Sequence, residues 1–222
     1  MTERRIVVAG GHGKIARHLI KNLTASGDLA VALIRNPDHE DPLRALGAYP
    51  RLVDLEHAGV DEVADTMHGA DAVVFAAGAG PGSGAARKDT VDRGAAALTA
   101  SAAERAGVRR YVQISSFGAG EPIPEDTDEV FAVYLAAKTA AEEDLRRRDL
   151  DWTILRPGGL TDDEPTGEVT LTEPPLERGT VPRADVAAVL AALVEPGAPA
   201  VRRTLMLTSG SMPVREAVAA LR

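Results

Sequence analysis

Short apolar runs alternate along the chain with segments in which apolar residues recur every three or four positions. The runs predict buried strands, and the periodic segments predict helices that cover them. The predicted strands span residues 6–9, 29–34, 51–53, 72–77, 111–114 and 152–155, and the predicted helices span 15–23, 43–46, 60–67, 90–106 and 130–148. This alternation predicts an α/β fold of three layers, in which a doubly wound, mainly parallel sheet lies between two layers of helices.

The pattern loosens after Pro157, a residue that we expect to end the sixth strand because proline cannot donate to a strand ladder. Residues 158–180 are rich in Gly, Pro, Thr and acidic residues, with one short strand predicted over 168–171. A helix over 184–193, a strand over 204–207 and a helix over 214–221 follow. This tail is too small for a second domain. We therefore predict a single domain over residues 1–222, with residues 158–222 forming a cap on the substrate side.

Composition and charge argue against several classes of function. The 222 residues carry a net charge of −8, which opposes a broad nucleic-acid surface. Cysteine is absent, and the five histidines show no metal-ligand spacing, so we expect no metal site. No apolar run reaches the roughly 18 residues of a membrane span, and the first strand leaves no room for a signal peptide. We expect a cytoplasmic protein, monomeric or homodimeric, that acts on a small molecule without nucleic-acid or membrane partners.

The turn after the first strand is rich in glycine. Gly10, Gly13 and Ala16 form a G-x-x-G-x-x-A pattern at the start of the first helix, and His12, Lys14 and Ile15 lie within it. Glycines permit a tight turn and a close approach of the backbone to a pyrophosphate, which the helix N-terminus favours. The pattern predicts a dinucleotide site, and a glycine turn without a ligand is the alternative.

The ends of the next strands indicate which dinucleotide binds. Arg35 stands where an acidic residue would accept from the ribose of NAD, and it is able to pair with the 2′-phosphate of NADP. This favours NADP, although NAD stays possible because Asp38 and Asp41 lie nearby. Two further strand ends are expected to approach the nucleotide, at Asp54-Leu55 and at Ala76-Ala77-Gly78. Asp54 is equally explained as a strand-end cap.

Tyr134 and Lys138 are the candidate catalytic pair. They are four residues apart on a predicted helix, so they face the same side one turn apart. An ammonium group beside a phenol lowers the pKa of the phenol, which would then exchange a proton with a carbonyl oxygen; the lysine would also bind the cofactor ribose. Ser115 and Ser116 end the fifth strand, where either could hold that oxygen. The alternative is an exposed tyrosine beside a solvated lysine.

Other residues near the strand ends have simpler explanations. Pro157, Gly158 and Gly159 are expected near the nicotinamide, or else mark a strand-to-loop break. Asp92, in the first turn of a helix, is explained by the helix dipole. Arg183 and Asp185 are explained by capping or an ion pair.

Together these motifs resemble the atypical short-chain dehydrogenase/reductases, and more narrowly their single-domain NAD(P)H-binding branch, similar to flavin and biliverdin reductases and to the NmrA-like proteins. The resemblance runs from about Ile6 to Leu193 and is most specific over residues 156–161 and 183–187. It implies a Rossmann fold and a catalytic triad of Tyr134, Lys138 and one of the two serines. The glycine turn departs from the Thr-Gly-x-x-Gly form frequent in these enzymes, and the small cap argues against nucleotide-sugar substrates.

The resulting hypothesis is an NADPH-dependent oxidoreductase acting on a small carbonyl, quinone or flavin-like acceptor, with Ser116 anchoring the carbonyl. Two alternatives remain. One is a redox sensor of the NmrA-like type that binds NADP(H) without turnover. The other is an epimerase or isomerase that uses a bound cofactor transiently.

Overall fold

The structure, a computed structural model, describes residues 3–80, 82 and 84–221. The strands are β1 (Arg5–Ala9), β2 (Leu29–Ile34), β3 (Tyr49–Leu52), β4 (Ala72–Phe75), β5 (Arg110–Ile114), β6 (Asp151–Pro157), β7 (Gly159–Thr161), β8 (Glu168–Thr172), β9 (Thr180–Pro182), β10 (Arg203–Ser209) and β11 (Met212–Pro213). The α-helices are α1 (Lys14–Ala25), α2 (Glu40–Arg44), α3 (Val60–Asp65), α4 (Gly84–Arg87), α5 (Ala96–Ala106), α6 (Glu129–Arg146), α7 (Arg183–Leu193) and α8 (Val214–Ala219). None of the helices in the described residues is long and apolar enough to cross a bilayer.

The main sheet has nine strands in the order β11-β8-β10-β6-β5-β4-β1-β2-β3. Strands β1 to β6 and β10 run parallel to one another, whereas β8 pairs antiparallel with both β10 and β11. The chain moves outward from β1 to β3 and then crosses back to β4. A crevice therefore opens at the carboxyl ends of β1 and β4, where the strand order reverses. The fold is the predicted Rossmann-like, doubly wound fold.

Alternating residues of β1 build the two cores, one on each face of the sheet. Ile6 and Val8 pack with α1 and α7, against side chains such as Leu19 and Leu190. On the other face, Val7 and Ala9 belong to a core with α3, α5 and α6. The single tryptophan, Trp152, lies near the amino end of β6, where it is paired with Tyr111 of β5 and is 7% exposed.

Much of the tail beyond Pro157 joins the main sheet, and its role as a cap on the substrate side stays a prediction. Strands β8, β10 and β11 extend the main sheet beyond β6, and α7 packs against α1 in a helical layer. A separate two-stranded sheet, β7-β9, follows directly after β6. Pro157 is the last residue of β6, as expected. Pro157 is aligned with Leu207 of β10, and the next residue supplies the N–H that Pro157 lacks, because Gly158 N donates to Leu207 O at 2.8 Å.

The predicted helix over 90–106 is two elements. Residues Lys88–Ala95 form a π-helix, and α5 continues from Ala96 to Ala106. Gly107, in the left-handed conformation at φ 74°, ends α5. Because π-helical turns are wider and are frequent at functional sites, the side chains of residues 88–95 project differently from those of an ordinary helix.

Candidate active site

The turn between β1 and α1 is built by three glycines in close contact with neighbouring strands. A Cβ on Gly10 would lie 2.6 Å from Ala77 Cα, and Gly10 has a φ of +78° that side-chain-bearing residues rarely adopt. A Cβ on Gly11 would lie 2.6 Å from Ala32 Cβ. The glycine pattern assigned Gly11 no role, yet the turn could not approach β2 with any other residue there.

The start of α1 fits an anionic ligand. Gly13 occupies the N-cap position and provides no side-chain cap, so the first N–H groups of the helix have no intrahelical partner. The helix dipole adds a partial positive charge at the same point. The bare turn and the uncapped helix start together form a cradle that suits the pyrophosphate of a dinucleotide.

A cleft of about 290 Å³ extends from this turn across the carboxyl ends of β1 to β4; we call it the cofactor cleft. Its walls include nine of the residues predicted to bind cofactor: Gly10, His12, Gly13, Arg35, Asp54, Leu55, Ala76, Ala77 and Gly78. These residues come from four separate strand ends. The small residues after β4 leave room beside the turn, so the residues present fit the adenosine and pyrophosphate of NAD(P).

The other predicted cofactor residues do not line the cofactor cleft. Lys14 Nζ lies 2.5 Å from Asp162 Oδ2, and the same carboxylate accepts from Arg183 Nη1 at 2.7 Å. Ile15 packs against the hydrophobic core between the sheet and the helices α1 and α7. A Cβ on Gly158 would lie 2.3 Å from the carbonyl oxygen of Gly179. Glycine is therefore required at position 158 because the two chain segments approach each other closely. The cofactor roles of Lys14, Ile15, Pro157, Gly158 and Gly159 stay predictions.

Arg183 and Asp185, expected to serve in capping or an ion pair, have structural partners. Asp185 is buried, and its carboxylate accepts from the backbone N–H groups of Thr166 and Gly167 at 3.0 and 2.9 Å. It therefore fixes the loop that leads into β8, while Arg183 forms the ion pair with Asp162 described above.

A charged cluster lies at the far end of the cofactor cleft; we call it the Glu56 cluster, formed by Arg35, Glu56, Arg87 and Thr90. Glu56 Oε2 lies 2.8 Å from Arg35 Nη1 and 2.7 Å from Arg87 Nη2. Thr90 Oγ1 donates to Glu56 Oε1 at 2.7 Å. The pKa of Glu56 is lowered, mainly by the hydrogen bond from Arg87. The strand-end pattern identified Arg35 but not its acidic partner.

Asp54 makes the contacts of a strand-end cap, and its expected approach to a nucleotide stays a prediction. Its Oδ1 accepts from Glu56 N at 3.0 Å, and its Oδ2 lies 2.9 Å from His57 Nδ1. The hydrogen bond with His57 is the main cause of the lowered pKa of Asp54. This turn orients the segment that carries Glu56 into the cofactor cleft.

Two histidines stack against each other on the wall of the cofactor cleft. The rings of His12 and His39 are 3.5 Å apart between centroids and nearly parallel, at 9°. The pKa of His12 is lowered, first by burial and then by the neighbouring His39. The stack joins the glycine turn to the segment after β2.

Tyr134 and Lys138 lie on the same side of α6, as predicted, next to the π-helix. Lys138 is 4% exposed; its Nζ lies 3.1 Å from Asp92 Oδ1, donates to Ile114 O at 3.2 Å and is 5.7 Å from the centroid of the Tyr134 ring. A second lysine, Lys88, lies 5.2 Å from that centroid. The hydroxyl of Tyr134 has no hydrogen-bond partner among the described residues.

The helix-dipole explanation of Asp92 was wrong. Asp92 is 1% exposed and forms a buried ion pair with Lys138, and its Oδ2 accepts from Ala79 N at 3.2 Å. Ala79 lines the cofactor cleft. Asp92 therefore connects the wall of the cofactor cleft to the Tyr134 and Lys138 pair, a link that no local pattern indicated.

The two candidate serines differ in their surroundings. Ser115 is buried, and its Oγ donates to Glu142 Oε1 at 2.6 Å. Glu142, fully buried, also accepts from Arg156 Nη2 at 2.6 Å. Ser116 is half-buried, and among the described residues its Oγ has one hydrogen-bond partner, Phe117 O at 3.2 Å. The role of Ser116 in the site stays a prediction. The spacing of Tyr134, Lys138 and Glu142 by four residues could have revealed Glu142.

Comparisons with known proteins agree with this geometry. A family profile described as NAD(P)H-binding matches residues 10–196. The uncharacterised sugar epimerase YhfK of Bacillus subtilis is 33% identical over 216 residues, covering 96% of this chain and 98% of that protein.

Solved structures show the same relationship. A Bacillus halodurans protein whose structure is named a putative NAD-dependent epimerase/dehydratase is 35% identical with a TM-score of 0.90. The match covers 98% of this chain and 99% of that one. ChuY, an anaerobillin reductase of Escherichia coli O157:H7, is 26% identical with a TM-score of 0.77, over 94% of this chain and 98% of that one. The chain thus belongs to the NAD(P)H-binding family of Rossmann-fold oxidoreductases and epimerase-like proteins.

Proposed function

We propose that this protein is an NADPH-dependent reductase of a small carbonyl, quinone or flavin-like acceptor. The observation that carries the proposal is the position of Tyr134. Its hydroxyl is free of protein partners among the described residues, while two ammonium groups, those of Lys88 and Lys138, lie within 6 Å of its ring centroid. A proton donor that is held rigidly and still available to a ligand is what carbonyl reduction requires.

Each residue has a separate task in the proposed reaction. When bound, NADPH supplies the hydride. Tyr134 gives its hydroxyl proton to the acceptor oxygen, and the ammonium groups of Lys88 and Lys138 lie beside its ring. Ser116 donates a hydrogen bond that orients the same oxygen. Asp92 holds Lys138 in place, so the lysine charge stays at the ring of Tyr134.

The proposed preference for NADPH rests on Arg35 and Arg87. Both guanidinium groups line the cofactor cleft at the strand end where the adenosine ribose of a Rossmann cofactor lies. Guanidinium groups suit the planar, doubly charged 2′-phosphate. The relationship to ChuY supports reductase chemistry in this fold.

The test is turnover of NADPH with a panel of quinones, flavins and small carbonyl compounds. We expect Tyr134→Phe to lower kcat/KM about 100-fold, because it removes the proton donor and leaves the ring. Tyr49→Phe is the matched control, since Tyr49 is 60% exposed on β3. Equal activity of Tyr134→Phe and the parent chain would refute the role of Tyr134.

Epimerase activity is the second candidate, supported by the names of the B. subtilis and B. halodurans relatives. An epimerase must keep its cofactor through the whole cycle. Cofactor that stays bound through purification, together with isomerisation of a sugar without net oxidation, would favour this candidate. Binding of NADPH with no turnover of any acceptor would instead favour the sensor.

A further inference from the structure

The Glu56 cluster places a protein carboxylate where a cofactor phosphate would have to bind. Arg35 comes from the end of β2, Arg87 from the end of α4, and Glu56 from the turn after β3. One carboxylate oxygen, Oε2, accepts from both guanidinium groups. The Glu56 side chain is only 16% exposed, so it is held between the two arginines within the wall of the cofactor cleft.

The charges of the cluster limit how strongly it can attract an anion. Two guanidinium groups and one carboxylate leave one net positive charge, and Asp54 adds a further negative charge in the same turn. A 2′-phosphate carries close to two negative charges. It would have to take a guanidinium group from Glu56 and would then lie next to that carboxylate.

We propose that Glu56 is a specificity-determining residue that restrains the preference for NADP over NAD by acting as the internal counter-ion of Arg35 and Arg87. The proposal rests on the proposed binding of the adenosine ribose beside Arg35. With NAD, the carboxylate keeps its arginine partners and accepts from the ribose 2′-hydroxyl. With NADP, the 2′-phosphate competes with Glu56 for the same donors.

Two nucleotides that differ only in the 2′-phosphate isolate this effect. Calorimetric titrations would use 2′,5′-ADP (adenosine 2′,5′-bisphosphate) and 5′-AMP with the parent chain, with Glu56→Gln and with Glu62→Gln. Glutamine keeps the size of Glu56 and removes its charge. Glu62 is exposed on α3 and forms no ion pair among the described residues, so Glu62→Gln removes one charge without touching the cluster.

We expect Glu56→Gln to bind 2′,5′-ADP about tenfold more tightly than the parent chain, because both arginines become available to the phosphate. Its affinity for 5′-AMP should stay the same or fall, and Glu62→Gln should match the parent chain for both ligands. Adding Arg35→Gln to Glu56→Gln should abolish the gain. Thermal unfolding of each variant checks that the fold is intact.

The opposing outcomes are distinct. An unchanged or weaker affinity of Glu56→Gln for 2′,5′-ADP would overturn the proposal, as would an equal gain for both nucleotides. Failure of both nucleotides to bind the parent chain would overturn it together with the cofactor assignment. Selective binding as expected, in a protein that reduces no acceptor, would refute the proposed function and leave the role of Glu56 standing.

Discussion

At the scale of single residues, two different physical constraints require glycine in the turn between β1 and α1, and a sequence motif does not distinguish them. Gly10 is required by a positive φ and by contact with Ala77, whereas Gly11 is required by contact alone. The strand-turn-helix pattern located the turn correctly. It could not show that β2 lies against Gly11, because that contact depends on how two strands pair.

We predict that Gly11→Ala destabilises the protein by about 1–3 kcal/mol, since the new methyl group overlaps Ala32 in a packed interior. Gly59→Ala is the control. Gly59 has a φ of −81°, and a methyl group added there would meet no atom within 4 Å, so alanine fits without strain. Urea denaturation measures both variants. Equal stability of the two would mean that the turn moves away from β2 at little cost.

The candidate site could be predicted only in part, and the reason is visible in its residues. Arg35, Asp54 and Ala77 were identified because strand ends in this fold converge on one edge. Glu56, Asp92 and Glu142 were missed because each acts through partners that are remote in sequence, such as Arg87 for Glu56 and Lys138 for Asp92. The contact between Ser115 and Glu142, which distinguishes the surroundings of the two serines, was likewise not indicated by the sequence.

At the scale of elements, the buried pair of Asp92 and Lys138 fastens the π-helix to α6. A buried ion pair contributes little over an apolar pair, but removing one partner leaves an uncompensated charge in a region of low polarity. The π-helix also carries an exposed ion pair, formed by Asp89 and Arg93 four residues apart, in which both side chains are about half exposed. A buried pair and an exposed pair can therefore be compared within one element.

We predict that Asp92→Asn destabilises the protein by about 3 kcal/mol, because Lys138 is left buried without its counter-ion. The double variant Asp92→Asn/Lys138→Met should recover much of that loss. Asp89→Asn, the control, should cost no more than about 0.5 kcal/mol. Urea denaturation of the parent chain and these three variants compares the losses directly. A loss for Asp92→Asn no larger than that of the control would show that Lys138 reaches solvent.

The elements up to β6 were predicted well and those after it less well, for a physical reason. Buried parallel strands are continuous apolar runs that any window of sequence shows, as in β2 and β4. The position of β10 beside β6, and of β8 beside β10, is set by tertiary packing and not by local pattern. The π-helix was predicted as part of an ordinary helix, because an apolar spacing near 3.6 does not reveal wider turns.

At the scale of the whole molecule, acidic residues dominate the charge and many depend on cationic neighbours. Among the described residues, five carboxylates have a lowered pKa, chiefly because of hydrogen bonds from arginine, lysine or histidine: Asp54, Glu56, Asp89, Asp149 and Asp162. A group with a lowered pKa in the folded state stabilises the fold above its ordinary pKa. That stabilisation is lost as the pH falls through the folded-state value.

We predict that the free energy of unfolding falls as the pH is lowered from about 5 to about 3. Over this interval the unfolded chain takes up protons before the folded chain does. Below the isoelectric point of about 5.2 the chain also becomes positive, and self-repulsion acts in the same direction. Urea denaturation at several pH values measures this slope, and Glu56→Gln should show a smaller one. A flat profile would mean that these carboxylates have similar pKa values in both states.

The position of the lone tryptophan has a practical consequence. Trp152 lies five residues before Pro157, so it is roughly 16 Å from the carboxyl edge of the sheet, at about 3.3 Å per residue. In the protein without bound nucleotide, the fluorescence of Trp152 therefore reports unfolding around the amino end of β6. Substitutions confined to the carboxyl edge of the sheet leave this signal unchanged. Trp152 is therefore an intrinsic fluorescent probe of global folding, distant from the edge of the sheet where ligands would bind. Folding can be followed with it without attaching a dye.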